Sequence, residues 1–136
     1  MLNRLKKFSL EHPPILFSYL FGSQARDKVD GLSDVDVAVY LSPAVKARRR
    51  FDYRLELIAD ISFILKRNDV DLLILNDMNN ILLAFEVIGG KLIDSKDDDE
   101  RICYEARVMS RYYDQKYYID RHTQLALDRI ANKGFS

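Results

Sequence analysis

A glycine–serine pair and, beyond a short gap, two aspartates one residue apart are the residues whose chemistry stands out. The chain reads Phe21-Gly22-Ser23-Gln24-Ala25-Arg26, then Gly31-Leu32-Ser33-Asp34-Val35-Asp36-Val37-Ala38-Val39. On an extended strand Asp34 and Asp36 leave the same face, while Val35 and Val37 point into the opposite layer. Two carboxylates held side by side repel, so the pair is costly unless a cation sits between them, and oxygen-only ligation suits Mg²⁺. Gly22-Ser23 comes after an apolar run and before Gln24-Ala25-Arg26, an expected helix start whose free N–H groups and dipole favour a phosphate. Gly22 lets backbone approach the ligand closely, the Ser23 hydroxyl can donate to it, and Arg26 offers a planar fork to phosphate oxygens or to a nearby carboxylate. Carboxylate pair and anion cradle side by side describe metal-assisted attack of a hydroxyl on phosphorus with pyrophosphate leaving. A third carboxylate is expected from Asp69 or Asp71, which share a strand face; Asp71 directly precedes an apolar run and is preferred.

These residues need strands to hold them. Ile15 to Phe21 is β-branched and aromatic between Pro14 and Gly22, which suits a buried strand; Asp34 to Leu41 makes a second, and Asp69 to Leu75 a third. Between the second and third, Phe51, Leu55, Ile58, Ile61 and Leu65 recur at helical spacing over about Ala44 to Lys66, a helix expected to cover one sheet face with that stripe. Met78, Ile81, Leu82, Phe85 and Ile88 form a shorter repeat after a cap at Asn76 or Asp77, stopped by Gly89-Gly90. Lys91 to Asp94 suits a short strand. From Asp97 onward Ile102, Ala106, Met109 and Tyr113 keep a helical period, with no proline or glycine before Gly134. The pattern predicts one α/β (α+β) domain over 1–136: a small mixed sheet flanked by helices (core about 14–95) with a helical C-terminal arm (about 97–133).

Composition narrows the partners. Twenty-one Lys+Arg against 21 Asp+Glu in 136 residues leave no bulk positive charge, so broad nucleic-acid binding is disfavoured and an anion must be held locally. The single cysteine, Cys103, allows neither an intrachain disulfide nor a structural zinc cluster, and no run approaches the ~20 apolar residues of a membrane span. A cytoplasmic protein, with no membrane association, is expected. Arg48-Arg49-Arg50 reads as a solvated helix face, and Tyr112, Tyr113, Tyr117 and Tyr118 as arm packing or a stacking surface. His12 and His122 lack a second ligand at metal spacing and read as surface residues. Asp97-Asp98-Asp99-Glu100 suits the acidic first turn of a helix.

Gly22-Ser23 followed after about ten residues by Asp34-x-Asp36 resembles the signature of the DNA polymerase β-like nucleotidyltransferases. The fuller form, Gly22-Ser23-x-Ala25-Arg26 with Ser33-Asp34-x-Asp36, resembles the minimal nucleotidyltransferase (MNT) antitoxins of HEPN–MNT toxin–antitoxin pairs. The resemblance spans Leu20 to Leu75; the last third matches only in length and helical character. It implies ATP with Mg²⁺ and transfer of AMP to a tyrosine hydroxyl of a partner HEPN ribonuclease, which is thereby neutralised within a possible hetero-oligomer. The family's metal carboxylates fall on Asp34 and Asp36, its third on Asp71, and its nucleotide contacts on Gly22 and Ser23, with Arg26 and Ser33 beside them. Two alternatives differ in class: a small-molecule nucleotidyltransferase of the aminoglycoside-modifying kind, for which 136 residues leave little room for an acceptor domain, and an antitoxin that acts by occlusion alone.

Overall fold

The computed structural model describes residues 1–22, Ala25 and 34–133. In chain order the elements are α1 (Leu2–Glu11), β1 (Ile15–Phe21), β2 (Val35–Leu41), α2 (Ala47–Leu65), β3 (Val70–Ile74), a 3₁₀ turn (Leu75–Asp77), α3 (Ile81–Ile88), β4 (Lys91–Ser95) and α4 (Asp98–Lys133). The four strands form one mixed sheet in the order β3-β2-β1-β4. β1 runs antiparallel to both neighbours, and β2 pairs parallel with β3 through the α2 crossover. A parallel pair needs a long connection, and the nineteen-residue α2 supplies it.

Alternation along β1 and β2 divides the core into two layers. Val35, Val37, Val39 and Leu41 pack with Leu5 and Phe8 of α1 and with Leu57, Ile61 and Leu65 of α2. On the other face Phe17, Tyr19, Phe21 and Ala38 meet Ala84 and Val87 of α3 and Tyr104 and Val108 of α4. Tyrosine hydroxyls fasten α4 to this face: Tyr19 donates to Glu105 (2.6 Å) and Tyr40 to Glu100 (3.1 Å). Lys96, just past β4, donates through Nζ to the carbonyls of Ser9, His12 and Ile15 and so ties the end of α1 to the sheet.

On α2 the second half of the expected stripe, Ile58, Ile61 and Leu65, faces the core as its periodicity suggested, whereas the first half does not; α4 turns a different stripe inward. On α2 Phe51 and Leu55 are exposed, and the buried line is Leu57, Ile61 and Leu65, flanked by Tyr53 and Ile58. On α4 Ile102, Met109 and Tyr113 face solvent, while Tyr104 and Val108 are buried. In the first half of α2 Leu57 takes the inward place that Leu55 was expected to hold, and α4 buries a line other than the expected one. Asn80, rather than Asn76 or Asp77, caps α3, accepting from the N–H groups of Leu82 and Leu83. Asn76 instead bonds both the N–H and the C=O of Leu41. Beyond Tyr112 the side chains of α4 described here are exposed. Among the described residues no helix is long and apolar enough to cross a membrane.

Candidate active site

β1 and β2 bring the glycine and one aspartate of the motif together. Phe21 lies opposite Asp36 in the antiparallel register, so the next residue, Gly22, sits against the Asp36 side chain. Gly22 has φ +75°, and a Cβ built on it would collide with Asp36 Oδ2. Only glycine both takes that dihedral without strain and leaves the carboxylate its place. Asp34 is exposed at the entrance to β2.

The parallel register of β2 and β3 sets Asp36 beside Asp71, on strands about 4.8 Å apart. Burial pushes the Asp36 carboxyl above the ordinary carboxylate range, and the charges of Asp71, Asp34 and Glu86 add to the shift in that order. Three acids thus bear on the Asp36 carboxyl at this end of the sheet. Glu86 had no place in the sequence reading because it lies off the apolar stripe of α3. Together with Gly22, Ala25 and Phe85 it lines a recess of about 200 Å³.

The two acids flanking Val70 have different partners. Arg67 grips Asp69 with both arms of its fork, Nε to Oδ1 at 2.8 Å and Nη2 to Oδ2 at 2.6 Å, and holds that carboxyl below its ordinary range. Asp71 is more loosely held: its Oδ1 accepts from Arg54 Nη2 (3.0 Å) and from the N–H of Leu72 (2.9 Å). Arg54 is itself pinned, its Nε donating to the Leu72 carbonyl at 2.6 Å. It thereby ties the crossover helix to the edge strand β3 while steadying the neighbouring carboxylate. Sequence reasoning passed over Arg54. The available signal was its position three residues before Leu57, which puts a cation on the sheet-facing side of the crossover helix.

Among the described residues no three His, Cys, Asp or Glu side chains gather around one point. Asp71 leans toward Arg54 at the sheet edge, and Asp34 stands in solvent, so the expected metal set of Asp34, Asp36 and Asp71 is not gathered in this arrangement. Ser23, Arg26 and Ser33, the other expected nucleotide contacts, lie outside the described residues.

The remaining candidates have structural partners. His12 is not a surface residue: its Nε2 lies 3.0 Å from Asp60 and its Nδ1 3.2 Å from the Tyr53 hydroxyl, joining α1 to α2. Arg48 and Arg49 are exposed, whereas Arg50 pairs with Asp77 at 2.5 Å. Tyr112 stacks on Phe85 with ring centroids 3.8 Å apart, and Tyr117 and Tyr118 remain exposed. Asp97 caps α4 by accepting from the N–H of Glu100, ahead of an acidic first turn.

A positive-φ glycine after β1, an aspartate of the next strand against it and a βαβ crossover to another acid keep together the residues whose spacing resembles the polymerase β-like nucleotidyltransferases. The family model of the Polymerase beta nucleotidyltransferases matches residues 3–99, and the chain belongs to that family. No curated protein matches it. In fold it is similar to a chain of a toxin–antitoxin complex with AMP-PNP (23% identity, 96% of this chain and 98% of that one, TM-score 0.67). It is likewise similar to a chain of the complex of tri-AMPylated Shewanella oneidensis HEPN toxin with MNT antitoxin (22%, 96% and 95%, 0.62). A chain of the toxin–antitoxin MntA–HepT also resembles it (21%, 96% and 96%, 0.61).

Proposed function

We propose that this chain is a cytoplasmic MNT antitoxin that transfers AMP from ATP to a tyrosine hydroxyl of a HEPN ribonuclease and so silences it. The observation that carries the proposal is the contact of Gly22 with Asp36, with Asp71 level with Asp36 on the neighbouring strand. The AMP-PNP and AMPylated-toxin complexes of similar fold support the choice of nucleotide and acceptor.

Donor chemistry and charge at the site fit a divalent cation. Asp36 is crowded by like charges that raise its carboxyl, and all the nearby donors are hard oxygens, the set Mg²⁺ favours. Asp34, Asp36 and Asp71 would hold the ion, which supplies charge neutralisation at phosphorus and at the departing pyrophosphate. The chain's own residues do the rest. Gly22, having no side chain, leaves room for the phosphates against its backbone; Ser23 donates to their oxygens, and Arg26 and Ser33 steady them. Asp71 receives the tyrosine proton, a role that suits a carboxylate left on an open edge with one oxygen already oriented by Arg54. The tyrosine oxygen bonds to the α-phosphorus, the bond from that phosphorus to the bridging oxygen breaks, and pyrophosphate carries away the electron pair.

Intact-mass spectrometry of the co-encoded HEPN protein after incubation with this chain, ATP and Mg²⁺ tests the proposal. One or more AMP increments with loss of ribonuclease activity are expected. An unshifted mass with full inhibition would replace transfer by occlusion, and an unshifted mass with unimpaired ribonuclease would sink the partner assignment.

A further inference from the structure

A concavity lies away from the acids. It measures about 420 Å³ and opens on the same face of the sheet as Asp36, at the far end of β2, where Tyr40 and Pro43 form part of its wall. Four residues of strand separate Tyr40 from Asp36, about 13 Å. Three guanidinium groups converge on it from two helices, Arg50 of α2 and Arg107 and Arg111 of α4. Asp77 stands against Arg50 and Glu100 near Arg107, which leaves a local excess of one cation.

Their commitments are incomplete. Arg50 is fixed by Asp77 and by the Val45 carbonyl, so its position is built in. Arg107 faces the Tyr40 hydroxyl and lies 3.9 Å from Glu100, whose carboxylate accepts from that same hydroxyl. Among the described residues Arg111 has no ion pair. Two of the three cations are thus available to an anion entering between them. The floor is apolar, with Leu75, Met78, Ile81, Ala84 and Val108, and Tyr104 presents a ring. Asn79 contributes an amide at the rim, while the Asn80 oxygen is spent on the helix cap.

We infer that this pocket binds a phosphate ester with a flat or apolar body, of the nucleoside monophosphate class, at a site separate from the carboxylates and without need of a metal ion. The size suits such a molecule, since small-ligand sites begin at about 300 Å³. Guanidinium forks match phosphate oxygens in geometry as well as charge. A nucleoside triphosphate bound through Mg²⁺ belongs at the acid end of β2; an anion bound directly by arginine belongs here. The inference rests on the pocket alone and stands whether or not the chain transfers AMP.

Equilibrium dialysis with labelled AMP, in EDTA, tests it on the intact chain, with inorganic phosphate and adenosine as competitors. Saturable AMP binding is expected, with phosphate and adenosine each competing at least about tenfold more weakly than unlabelled AMP. The double variant Arg107→Glu/Arg111→Glu, both exposed and checked for retained helicity, should weaken AMP by at least about tenfold. Asp36→Asn should leave AMP binding unchanged. No binding to the wild type overturns the inference, as does phosphate competing as well as AMP. Binding that survives the arginine reversals but is lost with Asp36→Asn would place the nucleotide at the acid end and also overturn it.

Discussion

Gly22→Ala should damage activity far more than it damages the fold, and the structure separates the two costs. An alanine held at φ +75° costs about 1–2 kcal/mol in backbone strain. The new Cβ also meets Asp36 Oδ2. That oxygen is the tip of a side chain, so a change of rotamer relieves the collision for about 1 kcal/mol. Loss of about 2–3 kcal/mol would lower the urea midpoint by about 1–2 M, leaving a protein that still folds. The rotation that saves the fold carries the carboxylate away from its place beside Gly22. A displacement of about 1 Å at a reacting centre costs about a hundredfold in rate.

The assay is transfer from α-labelled ATP to the HEPN partner, normalised to the folded fraction. Leu5→Ala is the control: it removes a fully buried side chain of α1 from the opposite layer of the core at a cost of about 2–5 kcal/mol, so destabilisation should be at least as large with no substitution at the acid end of the sheet. Activity of folded Gly22→Ala within about threefold of wild type, against the hundredfold expected, would refute the argument that this glycine exists to give Asp36 its position.

Asp71→Asn should reduce transfer far more than Asp69→Asn, because Arg67 already holds both oxygens of Asp69 whereas Asp71 is level with Asp36; equal losses in the same assay would show that the third carboxylate is misassigned. Asp36→Asn should abolish transfer yet stabilise the protein at pH 7. Its raised carboxyl makes the native state hold the proton more tightly than the unfolded one, so the stability this group contributes is fully present below the ordinary pKa of 3.8 and is lost as pH rises through the raised value. The advantage of the variant should therefore shrink as urea titrations move from pH 7 toward pH 4, and an advantage independent of pH would contradict the assigned cause.

The strands were legible because they are short apolar runs closed by punctuation: Pro14 and Gly22 frame β1, which occupies the expected Ile15–Phe21. Helix positions were legible too, and so was the inward side of the second half of α2 at Ile58, Ile61 and Leu65, but not that of its first half or of α4. Phe51 and Leu55 keep perfect helical spacing and face solvent, since periodicity finds an apolar line without telling a sheet-facing line from an outward one. Asn80 outcompeted the nearer candidates as a cap because the chain first makes a 3₁₀ turn over Leu75–Asp77, using Asn76 to bind Leu41. At the site, local spacing was enough to flag Gly22, Asp34 and Asp36. Preference for Asp71 over Asp69 rested on depth in the strand, whereas the observed difference lies in Arg67, only two residues before Asp69, and in the parallel register and Arg54, contacts between elements that the strand's own pattern does not encode. His12 escaped for the same reason, its partners Tyr53 and Asp60 being a helix away.

Neutrality of the whole chain conceals a division of charge along one strand face. At the start of β2 Asp36 is pressed by Asp71, Asp34 and Glu86; past its far end stand Arg50, Arg107 and Arg111. Between them lies Ala38, fully buried beneath Ala84 and Val87. The separation of about 13 Å exceeds the Debye length of about 8 Å at physiological salt, so through solvent neither group relieves the repulsion within the other. Had the fold needed only stability, interleaving these arginines with the acids would have been the cheaper arrangement, as Arg67 with Asp69 and Arg54 with Asp71 show within the same structure. Asp36 receives no such partner among the described residues. The repulsion retained at Asp36 is a cost borne by the packing of the rest of the core, and the division leaves one end of the sheet disposed to take up cations and the other anions.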